Sequence, residues 1–244
     1  MAFMPSTLLP PRKKSPTFLR YTPWLSLLCA LHVRDYNPST MARSSQADAD
    51  IYQLRIALRN SHPPIWRRVL VPGNWTLGAL HYVIQVAMGW TNSHLHQFIV
   101  GDDYISLYPI EGMTSRHSAR VTLAEVALRP KQKFFYEYDF GDSWDHEILV
   151  EKIMPPERGV RYPICVAGRR ACPPEDCGGV YGYADLLAII NDPSHAEHEN
   201  LSAWLQEMRP NFDPDAFDID AVNRRLAQIR PHALDAERNV RLFV

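Results

Sequence analysis

Residues 134–146 read Phe-Phe-Tyr-Glu-Tyr-Asp-Phe-Gly-Asp-Ser-Trp-Asp-His. Aromatic side chains alternate with polar ones, which is the period of a half-buried β-strand. The alternation runs into Gly141, Asp142 and Ser143, residue types that shape turns. Residues 147–153 supply a partner strand whose apolar face carries Ile148 and Val150. The stretch therefore predicts an antiparallel hairpin. Phe134, Tyr136, Tyr138 and Phe140 share one face, and placing Ile148 and Val150 on that face requires a loop of odd length. A loop centred near Ser143 sets Phe140 opposite His146 and Asp139 opposite Glu147. Gly141, Asp142, Ser143, Trp144 and Asp145 are then exposed at the turn.

The chain before the hairpin predicts further elements. Residues 51–59 alternate as a strand, Asn60-Ser-His-Pro-Pro64 is turn chemistry, and residues 65–71 form a second strand that pairs with the first. Thr76 is placed to cap a helix running to Met88, with Leu77, Leu80, Ile84, Ala87 and Met88 as its buried stripe and Gly89 as its stop. Strands are expected over 94–100 and 104–108, an irregular loop over 109–120, and a short strand or helix start over 121–126. Residues 157–181 read as a long loop. Helices are expected over 182–191, 199–208 and 219–229. The order β-β-α-β with further strands predicts an α+β fold, a β-grasp-like mixed sheet with one packed helix, followed by a cysteine-containing loop and C-terminal helices. The folded domain spans 51–230 and residues 231–244 form a tail.

Residues 1–50 hold six prolines and no sustained period. They read as a disordered extension, or as the product of a start set too early, with Met41 as the working start. The apolar run 24–33 is too short to span a bilayer. Residues 1–48 carry six Lys or Arg against Asp35 and Asp48, which leaves the remaining chain at −5 within an overall −1. An acidic body disfavours direct nucleic-acid binding, which needs a basic surface.

Cys165, Cys172 and Cys177 are spaced C-x6-C-x4-C, and three clustered thiols cannot all pair with one another. Reduced thiols in a cytoplasmic protein are the expected state. Their other use is as metal ligands, with His146 or His94 as a fourth, and zinc is the ion such a set would take. His94 and His96, two apart, would share one face of a strand. Asp142, Asp145 and His146, joined by Glu175, are candidates for general acid–base or metal chemistry in a cleft. Asp142 and Ser143 serve equally well as turn caps, and Trp144 as a core plug. Read as surface, Ser143 and Trp144 are instead a recognition patch, because aromatic residues dominate binding hot spots.

Residues 138–146, Tyr-Asp-Phe-Gly-Asp-Ser-Trp-Asp-His, are followed by Ala-Cys-Pro-Pro-Glu-Asp-Cys-Gly-Gly at 171–179 and by Gly182-Tyr183. With Leu54-Arg-Ile, Ile65-Trp-Arg-Arg, the 80–90 helix, His94-Leu-His-Gln-Phe, Asp192-Pro193, Phe217-Asp218 and Val222-Asn223, this pattern resembles the plasmid ORF-3-like family. That family is first named from a root-inducing (Ri) plasmid, and its relatives are also described as passenger proteins of insertion elements. The resemblance covers 51–229. It implies an α+β protein of bacterial or archaeal mobile elements, with no agreed activity. Two readings follow. The first is a soluble binding or interaction module for a protein or small ligand. The alternative is a metal-dependent hydrolase using Asp142, Asp145 and His146 with the loop from Cys172 to Cys177. Because both stretches are signatures rich in polar residues, the hairpin and the cysteine loop are expected to meet in space, with His146 and Cys172 on one side of the sheet.

Overall fold

The computed structural model describes residues 49–108 and 115–229, all within one compact unit. The expectations for the N-terminal extension, for Met41 and for the tail lie outside the described residues.

Strands β1 (Ile51–Leu58) and β2 (Trp66–Pro72) pair antiparallel, with Ile51 opposite Pro72 and Ala57 opposite Trp66. Helix α1 (Leu77–Met88) follows. Thr76 accepts a hydrogen bond from the Ala79 N–H, and Gly89 closes the helix at φ 94°, as its sequence predicts. The expected stripe is buried, but so are Ala79, His81, Val83, Gln85 and Val86, so α1 is enclosed almost all round.

Strands β3 (His96–Val100), β4 (Asp103–Ser106) and β5 (Ser115–His117) lead through a 3-10 turn at Ser118–Arg120 into a one-turn helix, α2 (Leu123–Val126). A capping box between Thr122 and Glu125 decides the strand-or-helix question at 121–126 in favour of the helix. Strands β6 (Lys133–Tyr138) and β7 (Trp144–Met154) form the aromatic hairpin. Strand β8 (Ile164–Arg169) comes next, then helices α3 (Gly179–Ile190), α4 (His198–Met208) and α5 (Ile219–Leu226). The long loop expected over 157–181 is thus interrupted by an edge strand that contains Cys165.

The strands form one mixed sheet in the order β5-β4-β3-β6-β7-β1-β2-β8, with β4 and β5 parallel and the other pairs antiparallel. The α+β expectation holds. Alternation assigns one sheet face to the core: Leu54, Ile56 and Leu58 of β1; Phe134, Tyr136 and Tyr138 of β6; Trp144, His146, Ile148 and Val150 of β7. Helix α1 touches β2 and α5, α5 lies on β8, and α3 packs on α4.

One inward position is cationic. Arg67 on β2 is buried. Its Nε donates to the Ala87 carbonyl at 2.7 Å, near the end of α1, where helix carbonyls concentrate negative potential. Its Nη1 donates to the carbonyls of Trp66 and Arg169, and its guanidinium lies 4.2 Å from the ring centre of Phe217. Burial lowers its pKa. The planar fork thus ties α1, β2, β8 and the segment leading to α5. We predict that Arg67→Lys, which keeps the charge and loses the fork, costs roughly 2–3 kcal/mol. Chemical denaturation would measure it, and a variant as stable as the parent would contradict this role.

Candidate functional site: the junction of three loops

The hairpin turn is built on Asp139. Its backbone adopts φ 58°, and its Oδ1 accepts from the Gly141 N–H at 2.9 Å. Ser143 N–H donates to the Asp139 carbonyl at 2.6 Å. Strand β6 therefore ends at Tyr138, and the odd loop covers residues 139–143. His146 pairs with Tyr136, not Phe140, and Glu147 with Phe135, not Asp139. The facing parity is as predicted, but the loop centre lies two residues earlier. Phe140 leaves the core face and is 41% exposed.

The predicted site residues separate. Trp144 is fully buried: β7 starts there, so strand alternation turns it inward, and it offers no recognition surface. Its neighbour Ser143 stays exposed at φ 51°. His146 is also fully buried, and its Nδ1 donates to the Trp144 carbonyl at 2.8 Å. Burial pushes its pKa down to about 4. Asp145 points to the opposite face, where it lies 3.8 Å from Arg59. Asp142 accepts from the Gly178 N–H at 3.1 Å, and burial raises its pKa. Asp142, Asp145 and His146 therefore share no cleft.

Glu175 is a clasp. Its Oε1 accepts from the Tyr138 hydroxyl at 2.5 Å. Its Oε2 accepts from the hydroxyl and the N–H of Thr91 at 2.6 and 3.0 Å. Tyr138 in turn accepts from the Ser93 N–H at 2.9 Å. Trp90 completes the joint. Its Nε1 donates to the Pro173 carbonyl, and its ring packs on Tyr138, Trp144 and His146. His146 and the cysteine loop thus lie against the same indole, so the two stretches do meet on one side of the sheet. Gly179 and Gly182 allow the approach: a Cβ at Gly179 would overlap the Asp142 carbonyl, and one at Gly182 the Cys177 carbonyl.

The cysteines are free. Burial pushes the thiols of Cys172 and Cys177 up to about 12 and raises that of Cys165, whose Sγ lies 3.4 Å from the Ala167 carbonyl. Among the described residues, Cys165, Cys172, Cys177 and His146 do not bring their ligand atoms together as a metal-binding group.

A buried polar layer under α1 went unread in the sequence. His81 Nε2 donates to Asn92 Oδ1 at 2.7 Å, and its Nδ1 accepts from the Tyr136 hydroxyl at 2.8 Å. Gln85 donates to the same hydroxyl. His96 stacks on His81 with ring centres 3.5 Å apart. Burial brings His81 to about 4 and lowers His96 well below the usual imidazole range. A strand position and a helix position meet here, and neither period alone signals it. The expected His94–His96 pairing fails because β3 begins at His96. His94 lies in the approach loop.

His94 instead faces the rim. Its Nε2 is 3.1 Å from Asp176 Oδ1 and 3.6 Å from Asp139 Oδ2. The three loops that meet here also expose Leu95 (54%), Phe140 and Tyr181 (78%). Leu95 is tied to the hairpin by the Asp139 N–H, which donates to its carbonyl at 2.9 Å. Tyr181 lies in the first turn of α3, whose start abuts Asp142.

Glu175→Gln keeps the shape but sets an amide N–H₂ against donors, so it should cost about 1–3 kcal/mol. It should also make the chain near residues 171–178 more sensitive to limited proteolysis. Unchanged stability would remove the clasp. For the histidines, folded pKa values near 4 for His81 and His146 lie below the unfolded value of about 6.5, so the unfolded chain binds more protons between these limits. Their contribution is complete above pH 6.5 and is lost as pH falls towards 4, at up to about 1.4 kcal/mol per pH unit for each ring. The melting temperature should fall across that window, and the fall should be shallower in His146→Met.

A family model described as plasmid pRiA4b ORF-3-like protein matches residues 50–221. The uncharacterized protein y4hQ of Sinorhizobium fredii is 35% identical over 178 residues, 72% of this chain and 90% of that protein. The crystal structure of MM3350, a protein of unknown function from Methanosarcina mazei Go1, matches with a TM-score of 0.65 at 36% identity, over 72% of this chain and 98% of that one. The aromatic hairpin and the Cys172–Gly179 stretch both fall within the matched residues, and the chain belongs to the plasmid pRiA4b ORF-3-like family.

Proposed function

We propose that the protein is a binding module that engages a protein partner through the junction of its three loops. The observation that carries this reading is the composition of the junction. Segments 91–95, 138–144 and 171–183 contain Asp139, Asp142, Glu175 and Asp176 but no Lys or Arg. They also expose Leu95, Phe140 and Tyr181. Asp176 is exposed at the rim, while Asp139 and Glu175 add negative charge from beneath it. With the exposed aromatic and aliphatic side chains of the same segments, this suits a partner segment that alternates Lys or Arg with apolar residues. Cation–π contacts with Phe140 and Tyr181 would add to charge attraction. The residues that a hydrolase would need are committed elsewhere: Glu175 and Asp142 hold backbone and hydroxyl donors, and His146 is sealed in the core. That favours recognition over chemistry.

No helix among the described residues is long and apolar enough to cross a membrane. The free cysteines suit the reducing cytoplasm, which we propose as the location.

The test is fluorescence anisotropy with labelled peptides that alternate Arg with Leu or Phe, against panels in which Glu or Ser replaces Arg. Binding should favour the basic panel, weaken with salt, and fall about tenfold, equivalent to 1.4 kcal/mol, in a Phe140→Ser/Tyr181→Ser variant with unchanged melting. Equal binding of all panels, or full binding by the variant, would refute the reading.

A further inference from the structure

We infer that His94, Asp139 and Asp176 form a binding site for one divalent transition-metal ion, of the zinc or manganese type. It is a different set from the cysteines and His146, which the fold keeps apart. One ligand comes from each loop of the junction: His94 from the approach to β3, Asp139 from the hairpin turn and Asp176 from the cysteine loop.

The spacing fits. One ligand atom from each residue lies within 4.8 Å of the other two. A tetrahedral ion with bonds of about 2.0–2.1 Å holds its ligands about 3.3 Å apart. The Nε2–oxygen separations of 3.1 and 3.6 Å bracket that value.

Hydrogen bonding does not account for the arrangement. His94 Nε2 is buried and has no hydrogen-bond partner, although a carboxylate oxygen lies at 3.1 Å. At that distance it is the direction that fails. An oxygen close to Nε2 yet outside its hydrogen-bond direction leaves the ring nitrogen free to hold an ion that the oxygen also reaches. Asp139 supplies an independent indication. It is only 8% exposed, and its Oδ1 is taken by the Gly141 N–H. Its Oδ2 is left facing the imidazole at 3.6 Å. A carboxylate oxygen 3.6 Å from a buried nitrogen that does not donate to it leaves a pairing that a cation between them would complete.

The donor set selects the ion. One imidazole nitrogen and two carboxylate oxygens suit zinc or manganese better than magnesium or calcium, which favour all-oxygen shells. Three protein ligands leave a position for water or for a group from outside. Asp176 has a side chain 58% exposed, so the site opens to solvent on its side. An ion here would cross-link the three loops and halve the −4 formal charge of the junction. The inference does not rest on the binding-module reading, since the ion can bind whether or not a partner does.

The test uses full-length, tag-free protein dialysed against chelator, then titrated calorimetrically with ZnCl2, MnCl2 and MgCl2. Zinc or manganese should bind at one ion per chain, raise the melting temperature, and bind at least tenfold more tightly than magnesium. His94→Ala and Asp176→Asn alter rim side chains and should melt normally without metal, yet each should weaken binding at least tenfold. Cys177→Ser should bind as the parent does, which separates this site from a thiol site. Failure to bind at millimolar metal, or binding undiminished in both rim variants, would overturn the inference. Peptide binding in the same variants reads the partner proposal separately.

Discussion

A single buried carboxylate joins the parts of this fold that are not strand or helix. Glu175 accepts two hydroxyls and one main-chain N–H, and through them holds the cysteine loop, the α1–β3 connection near its start and the last residue of β6. Charge-assisted bonds of this kind are each worth about 1.5–3 kcal/mol, and a charge stripped of them in place costs more. Tyr138 suits the joint because burial, then Glu175 itself, raises its pKa, so the phenol remains a donor. Its oxygen also accepts from two consecutive main-chain N–H groups, those of Ser93 and His94. One side chain thus satisfies a segment with no ladder of its own, which a buried irregular segment requires.

This explains why the two signature stretches are so rich in polar residues. Loops that cross a core bring unpaired backbone groups with them. Asp139, Asp142 and Glu175 serve those groups in turn: the Gly141 N–H, the Gly178 N–H and the Thr91 N–H. The glycines follow from the same packing, because the start of α3 is pressed against the Asp142 and Cys177 carbonyls. A stretch can therefore carry several acids because a tightly folded turn needs their oxygens as hydrogen-bond acceptors.

Much of the fold was legible because period and caps are local. The strand alternation in β1, β6 and β7, the Thr76 and Gly89 caps of α1 and the facing parity of the hairpin needed no tertiary knowledge. The misses were tertiary. The hairpin loop slid by two residues because Asp139 takes a left-handed backbone that ends the aromatic alternation early, a choice that side-chain pattern does not record. Strand β8 hid in a supposed loop because Ala167, Gly168 and Arg169 carry no strand signal; its pairing with β2 makes it a strand. Arg67 sits at an inward position because carbonyls from α1 and β8 receive it. Within the candidate site, Asp139 and Asp176 were visible only as members of motifs. That they converge on His94 depends on three loops being drawn together.

Burial sorts the histidines of this region by what each can still do. His81 has both ring nitrogens engaged, by Tyr136 and Asn92. His96 is stacked on it, and His146 is sealed beneath Trp90. All three are held neutral by burial, so proton exchange at neutral pH is suppressed and a ligand cannot reach them without opening the core. His94 differs because β3 begins two residues after it. The approach loop leaves its ring at the rim, between one buried carboxylate and one exposed. The strand boundary at His96 therefore decides which imidazole belongs to the core and which to the surface. The same boundary leaves Leu95 exposed outside the strand. Candidate chemistry and candidate recognition thus fall at the same rim for one structural reason: the sheet ends there, and Glu175 holds the loops that cover its end.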